Sequence, residues 1–420
     1  MDADLRVGMT PRRADFAVCG TGRMQQKRLT ASRGRRSEIR EVTLPFALED
    51  KSLTETSRRF HASNANSMKS LSINLLRWNS GWDEIRACIE AVLASDLVDF
   101  ELTYMENFNP DCPSLASEVK EQFGADGRVR VVVTEANLGY AGGHNRFFDG
   151  TGSELLMVLN PDALIEPDFL KRIVAAFEDP HVGAATGKMI KPGQNRSGER
   201  TLDGTGILVS RSRRGYERGQ LEIDRGQYDK EPQVFGVSGT AAVYRKSALE
   251  AVKIGSSEYF DEDFFAYWED LDLSWRLRLR GYSCVYVPGA IVEHQRAVGQ
   301  SEGGVRNFFG YVRHHRAFPL NVRQWSWRNH LFAILKNDHG WRFFRDLPFI
   351  AARELGMLMF LLCFMPDTLL AVPGALRLLP KMLAKRRYIM RHIKPDVGMI
   401  DPFSTLLAAP HDAQLGRRGR

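Results

Sequence analysis

Leu155-Leu156-Met157-Val158-Leu159-Asn160-Pro161-Asp162-Ala163 sets five apolar residues directly against a polar Asn-Pro-Asp. A short, unbroken apolar run of this kind suits a strand buried on both faces, as in the middle of a parallel sheet. The run ends abruptly, so Asp162 is held at the lip of that sheet. A hard divalent cation takes carboxylate oxygen and leaves its remaining positions to water and phosphate. Asp162 is therefore a candidate metal ligand. The plainer reading is a turn or N-cap aspartate ahead of Glu166-Pro167-Asp168.

Outward from this strand the pattern alternates. Residues 71–76, 100–105 and 129–134 read as strands, and residues 83–94 and 169–177 have helical spacing. Alternation of this kind predicts a parallel sheet with helices on both faces, and ligands then bind at the carboxyl ends of the strands. Residues 197–231 are polar and read as a long loop or small excursion. Residues 234–244 return to a strand-like pattern with small residues at Gly236, Ser238, Gly239 and Thr240. Residues 270–280 read as a helix ended by Gly281, and residues 284–287 as a strand.

Three further stretches carry candidate chemistry. Asn137-Leu138-Gly139-Tyr140-Ala141-Gly142-Gly143-His144-Asn145 follows a strand, and its glycines allow close backbone approach. Free backbone N–H groups at such a loop-to-helix junction would cradle phosphate; a simple Gly-rich turn competes with that reading. Glu269, Asp270 and Asp272 cluster where a helix begins, beside Phe264, Phe265, Tyr267 and Trp268. An aromatic wall partly desolvates a carboxylate and makes it a better base. Asp270 is the expected base, and Asp272 the ion-pair partner of Arg276 four residues on. His294 falls after the 284–287 strand, at another sheet end, where it can ligate a metal or be an ordinary hydrogen-bonded histidine.

In order and spacing these motifs resemble the family 2 glycosyltransferases, especially a rhamnosyltransferase-like branch. The resemblance runs from about residue 72 to His294. It also includes Arg77-Trp78-Asn79, Glu106-Asn107, Gly239-Thr240-Ala241 and Glu269-Asp270-Leu271-Asp272-Leu273. It implies a GT-A fold: an α/β, Rossmann-like, mostly parallel sheet flanked by helices, with a C-terminal amphipathic helical extension. It further implies that Asn160-Pro161-Asp162 is the family's DxD element, with Asp162 and His294 on the metal, Mn2+ or Mg2+. Asp270 would be the catalytic base. Asn79, Glu106, Asn107, Asn137, Gly139, Tyr140, Gly142, Asn145, Asn160, Gly239, Thr240 and Glu269 would surround the donor. Glu106 stands where the family usually has Asp. The implied activity is an inverting, single-displacement transfer from a nucleotide sugar, dTDP-rhamnose or a UDP-sugar. The implied acceptor is a hydroxyl of a glycan or lipid-linked molecule in cell-surface polysaccharide synthesis.

The ends of the chain read differently. Residues 1–67 look like a basic, disordered tail, residues 68–303 like the catalytic domain, and residues 304–420 like a helical region. The apolar run 355–365 is too short to span a bilayer. The following stretch to Lys394 carries seven Lys/Arg against one acid, Asp367. Apolar residues beside a basic stripe suit an anionic membrane surface, and a hairpin packed on protein is the alternative. Deletion from about Leu355 onward would then leave donor hydrolysis measurable. The formal charge of +7 suits anionic partners, with no nucleic acid expected. Five widely spaced cysteines without a CxxC pair argue against a disulfide framework or a zinc site. The expected location is cytoplasmic, peripheral on the inner face of the cell membrane. Two rival readings are a nucleotidyltransferase, which would need a basic loop after the first strand, and a non-catalytic membrane-bound scaffold.

Overall fold

A computed structural model describes residues 70–97, 99–194, 198–294 and 308–393. The expected tail over residues 1–67 lies outside the described residues. The first part of the chain lays down β1 (Leu71–Arg77), α1 (Trp82–Leu93), β2 (Phe100–Glu106), α2 (Ala116–Phe123), β3 (Val129–Val133), α3 (Gly139–Asp149) and β4 (Leu155–Leu159). It continues through β5 (Ala163–Ile165), α4 (Phe169–Ala175), β6 (Val182–Ile190), β7 (Leu202–Gly204), β8 (Ile207–Val209) and β9 (Gly215–Glu217). Then come β10 (Gln233–Val234), β11 (Ala241–Arg245), α5 (Lys246–Val252), α6 (Glu269–Leu279) and β12 (Ser283–His294). Four helices follow: α7 (Phe308–Ala317), α8 (Leu320–Asn337), α9 (Gly340–Phe364) and α10 (Val372–Arg391).

The main sheet runs β10-β12-β6-β11-β4-β1-β2-β3. The pairs β3–β2, β2–β1, β1–β4 and β6–β12 are parallel, and β11 lies antiparallel between β4 and β6. Helices cover both faces, as the GT-A expectation requires. All of β4 is buried, and its alternate residues feed two cores. Leu155, Met157 and Leu159 meet α1 and α4 through Ile85, Ile89, Phe169 and Ile173. Leu156 and Val158 meet α3, α5 and α6 through Phe148, Leu249, Leu273 and Leu277. In α1 the buried residues Ile85, Cys88, Ile89 and Val92 show the helical spacing the sequence displays. The strand-like reading of residues 234–244 resolves into two strands, β10 and β11, with a turn of small residues between them. The expected excursion at residues 197–231 contains β7 and the β8–β9 hairpin. Among the described residues the cysteines are free, and Cys88 and Cys284 are buried.

The C-terminal helices are tied to the α/β part by charge. Arg213 meets Asp338 at 2.7 Å and Asp346 at 3.0 Å. Lys336 of α8 pairs with Asp261, and with Asp272 at 2.9 Å. From α10, Lys385 reaches Glu258 and Asp261, both at 2.5 Å, and Lys381 reaches Asp263 at 2.8 Å. Of the expected basic stripe, Lys385 and Arg386 turn inward, Arg386 donating to the carbonyls of Leu335 and Asp338, while Arg377, Lys381, Arg387 and Arg391 stay exposed. Deletion from about Leu355 onward would take Lys385 from Asp261 and Asp263, and Lys381 from Asp263, and leave Lys336 on Asp261. The short apolar run is corrected. Arg353 and Glu354 lie inside the helix, and Glu354 pairs with His330 at 2.8 Å. The 25-residue α9 is therefore long and apolar enough to cross a membrane, by length and composition.

Candidate active site

Sheet register brings Asp162 and His294 together. A bulge in β12 between Val287 and Ile291 carries that strand onward beside β6. Its last residues then pair with β5, which sets His294 opposite Ala163, the neighbour of Asp162. His294 Nε2 lies 3.3 Å from Asp162 Oδ2, while Nδ1 lies 2.9 Å from Asp203 Oδ2. Burial alone would lower the His294 pKa, but the hydrogen bonds and charges of Asp162 and Asp203 outweigh it and raise the value to about 9. Asp203 is buried on β7, and sequence reasoning missed it. Its signal was weak: one aspartate in a polar stretch, brought in by the pairing of β7 with β6.

The donor set fits a divalent cation. Two ligands at about 2.0–2.2 Å from one ion lie roughly 3 Å apart, close to the Asp162–His294 separation. A carboxylate on the far nitrogen of a ligating histidine fixes its tautomer and raises its basicity, which is the role Asp203 can fill. A second acidic group, Glu258, Asp261 and Asp263, has carboxylates close enough to share an ion. Lys336, Lys381 and Lys385 already neutralise it, so it is a buried ion-pair hub and a poor metal site.

The base candidate sits at the other end of the same turn. Asp270 is half-buried at the start of α6, and its Oδ2 accepts from Gly239 N at 3.0 Å. Thr240 O accepts from Asn160 N at 2.8 Å, so one short turn links the Asp270 corner to the Asn160-Pro161-Asp162 corner. Tyr140 donates to Gly239 O at 2.5 Å from the α3 side. Glu269, expected at the donor, is buried. Burial and the neighbouring Asp270 charge raise its pKa well above the usual carboxylate range. Asp272 pairs with Arg276 at 3.0 Å, as its spacing suggests.

The Gly-rich stretch departs from the phosphate-cradle reading. Residues Gly139, Tyr140, Ala141, Gly142 and Gly143 lie within α3, and Tyr140 N and Ala141 N donate to Phe265 O at 2.8 and 3.1 Å. Those amides are therefore taken by the loop ahead of Asp270. Gly139 has φ +68, and a Cβ there would sit 2.6 Å from Phe265, which explains the glycine. Gly142 is half-buried on the same helix.

Several other expected donor contacts turn out to be internal. Asn145 is saturated by Phe260 N, Phe260 O and Glu262. Asn107 ties Leu138 N to Gly139 O and the Asn137 side chain. Glu106 Oε2 gathers Arg77, Tyr104 and Leu115 N. With their hydrogen bonds met inside the protein, these buried groups shape the crevice wall. Asn79 and Asn137 are exposed, and Asn160 is half-exposed, so these three remain available to a donor.

Comparison with known proteins bears on the family of the chain. The family described as "Glycosyltransferase like family 2" matches residues 78–317. An N-acetylglucosaminyl-diphospho-decaprenol L-rhamnosyltransferase from Mycobacterium tuberculosis is 30% identical over 197 residues, covering 40% of this chain and 59% of that protein. An N-acetylglucosaminyltransferase from Bradyrhizobium diazoefficiens is 20% identical over 220 residues, covering 51% of this chain and 42% of that one. The chain thus spans less than two thirds of the length of these relatives. Among solved structures, a mannosyltransferase from Pyrobaculum calidifontis with GDP-Man and Mn2+ is 15% identical, with a TM-score of 0.44 over 81% of this chain and 92% of that one. S. aureus TarS with UDP-GlcNAc is also 15% identical, with a TM-score of 0.46 over 80% and 90%. These structural likenesses are too loose to transfer residue roles. The family match covers more than half of the sequence and includes both corners of the crevice, and on that ground the chain belongs to glycosyltransferase-like family 2.

Proposed function

We propose that this family 2 protein is an inverting, metal-dependent hexosyltransferase. It moves a sugar from a nucleoside-diphosphate donor to a hydroxyl of a glycan or lipid-linked acceptor in polysaccharide synthesis. The observation that carries the reading is the pair of corners joined by the Gly239-Thr240 turn: a carboxylate–imidazole pair at one, a half-buried aspartate at the other. Asp162 and His294 would hold Mn2+ or Mg2+, which neutralises charge on the departing diphosphate. Asp203 holds the His294 ring with Nε2 facing Asp162, where the two side chains would take the ion. Asp270 takes the proton from the acceptor hydroxyl as it attacks. Asn79, Asn137 and Asn160 line the donor side. One displacement with one base and no enzyme nucleophile inverts the anomeric carbon.

The rhamnosyltransferase relative supports dTDP-rhamnose as the first donor to try, with a UDP-sugar next. That relative's lipid-linked acceptor, and the exposed Trp341, Phe344, Leu355, Met359 and Leu362 of α9, support a site at the cytoplasmic face of a membrane. The nucleotidyltransferase alternative loses ground at Arg77: it is buried and holds Glu106 and Ser80 O, so it is not free to hold phosphate. The test is release of nucleoside diphosphate from dTDP-rhamnose, UDP-GlcNAc and GDP-mannose, with Mn2+ and with chelator. Mn2+-dependent release from one donor supports the proposal. Undiminished release in chelator removes the metal from it, and no release from any donor, with or without acceptor lipid, removes the activity.

A further inference from the structure

Residues 264–267 present four consecutive backbone carbonyls, and all four are held from outside the loop. Phe265 O is held by the start of α3. The other three converge on one side chain. Asn329 Nδ2, on α8, donates toward Phe264 O at 2.9 Å, Ala266 O at 3.0 Å and Tyr267 O at 2.9 Å. Asn329 is wholly buried and lies 62–65 residues further along the chain. Its amide has only two hydrogens, so the three carbonyls share them.

The loop needs holding. Phe265, Tyr267 and Trp268 have φ of 66, 71 and 74, a region that side chains other than glycine rarely occupy. Such residues persist where the surroundings over-determine them. Trp268 is the residue before α6, so this loop fixes where the helix starts and where Asp270 points. Neighbours on α8 support the same segment: Trp325 packs on Phe265 with centroids 4.8 Å apart, and His330 on Trp268 at 4.5 Å. Neither of those rings supplies donors to the three carbonyls.

We propose that Asn329 is a positioning residue for Asp270. Its buried amide fixes the left-handed turn that aims the aspartate at Gly239 N and into the crevice. The C-terminal helices are thereby part of the catalytic apparatus. The inference rests on Asp270 being the base.

The test is a double-mutant cycle in the full-length protein, using Asn329→Ala, Asp270→Asn and the pair. The rate is measured on whichever of dTDP-rhamnose, UDP-GlcNAc or GDP-mannose turns over. Binding of UDP with Mn2+ is measured by calorimetry as the check on the donor side. Asn329→Ala is expected to lower kcat about 10–100-fold, the scale of a small misplacement of a catalytic group, and to leave UDP binding nearly unchanged. In the Asp270→Asn background it is expected to cost little more, because its effect passes through Asp270. A full additional loss in that background overturns the proposal, as does a normal kcat for Asn329→Ala alone. A normal rate for Asp270→Asn overturns the base assignment instead. Should Asn329→Ala fail to fold, Asn329→Gln enters the same cycle with the same deciding outcomes, since it keeps the amide but displaces it by a methylene.

Discussion

The two corners of the crevice are built by opposite means. At the metal corner, Asp162 and His294 are set by ladder register: β4 ends, β5 begins, and β12 delivers the histidine opposite Ala163. Apart from the β12 bulge, the backbone there is ordinary strand and turn. At the base corner, Asp270 follows three left-handed residues that backbone amides of α3 and side chains of α8 hold in place. The first corner is robust because regular hydrogen bonding enforces it. The second carries strain, and its geometry depends on α3 and α8 together. The lesson is that loss at the metal corner should come from removing a ligand, whereas the base corner should also fail when its supports are changed.

The largest expected effect is at Asp162. Asp162→Ala removes the carboxylate that faces His294 Nε2 at 3.3 Å, and transfer should fall about 10³-fold or more. Steady-state rates over a Mn2+ titration check this; recovery at high Mn2+ would show that His294 alone suffices. Next comes Asp270→Asn, expected to lower kcat about 10²–10⁴-fold with Mn2+-dependent UDP binding intact. Glu269→Gln is its control: burial and the Asp270 charge disfavour the charged form of Glu269, and a neutral amide of the same size should leave transfer intact. A larger loss at Glu269 than at Asp270 would exchange their roles.

Smaller again is Asp203→Asn. It leaves Asp162 and His294 in place but weakens the orientation of the ring, and Mn2+ affinity should drop about 10–100-fold. Calorimetry with Mn2+ and UDP measures it, and an unchanged affinity would separate His294 from any dependence on β7. The smallest effect on transfer at neutral pH is at His144, which lies beneath Tyr140 with centroids 4.3 Å apart and acts on stability in acid. Its Nδ1 lies 2.9 Å from Asn74 Nδ2, and burial depresses its pKa to about 3. A depressed value means that the unfolded chain binds the proton first as pH falls. Stability should therefore be full above about 6.5 and decline toward pH 3, by up to about 1.4 kcal/mol per pH unit from this group. His144→Phe should flatten that part of the curve in denaturant titrations. An unchanged slope would assign the acid loss to the buried carboxylates around Lys336 and Lys385.

The sequence by itself determined the alternating strand and helix plan, the buried β4, the α1 face and the family. These depend on local periodicity and on short motifs whose residues are neighbours in the chain. It also pointed to Asp162, Asp270 and His294, because each follows an apolar run or opens a helix. Tertiary structure decided what the motif residues do. Asn107, Asn145 and Glu106 look like ligand-reading residues in sequence, yet their hydrogen bonds are satisfied internally by partners that only folding supplies. The glycines of α3 look like a phosphate loop, yet the amides beside them hold Phe265. Asp203 and Asn329 carry no local signature, because a lone polar residue gains meaning only when strand pairing or helix packing buries it against a specific partner. The basic C-terminal stripe shows the same limit: composition gave its charge, but only packing decided that Lys385 faces Asp261 while the apolar face of α9 is left exposed.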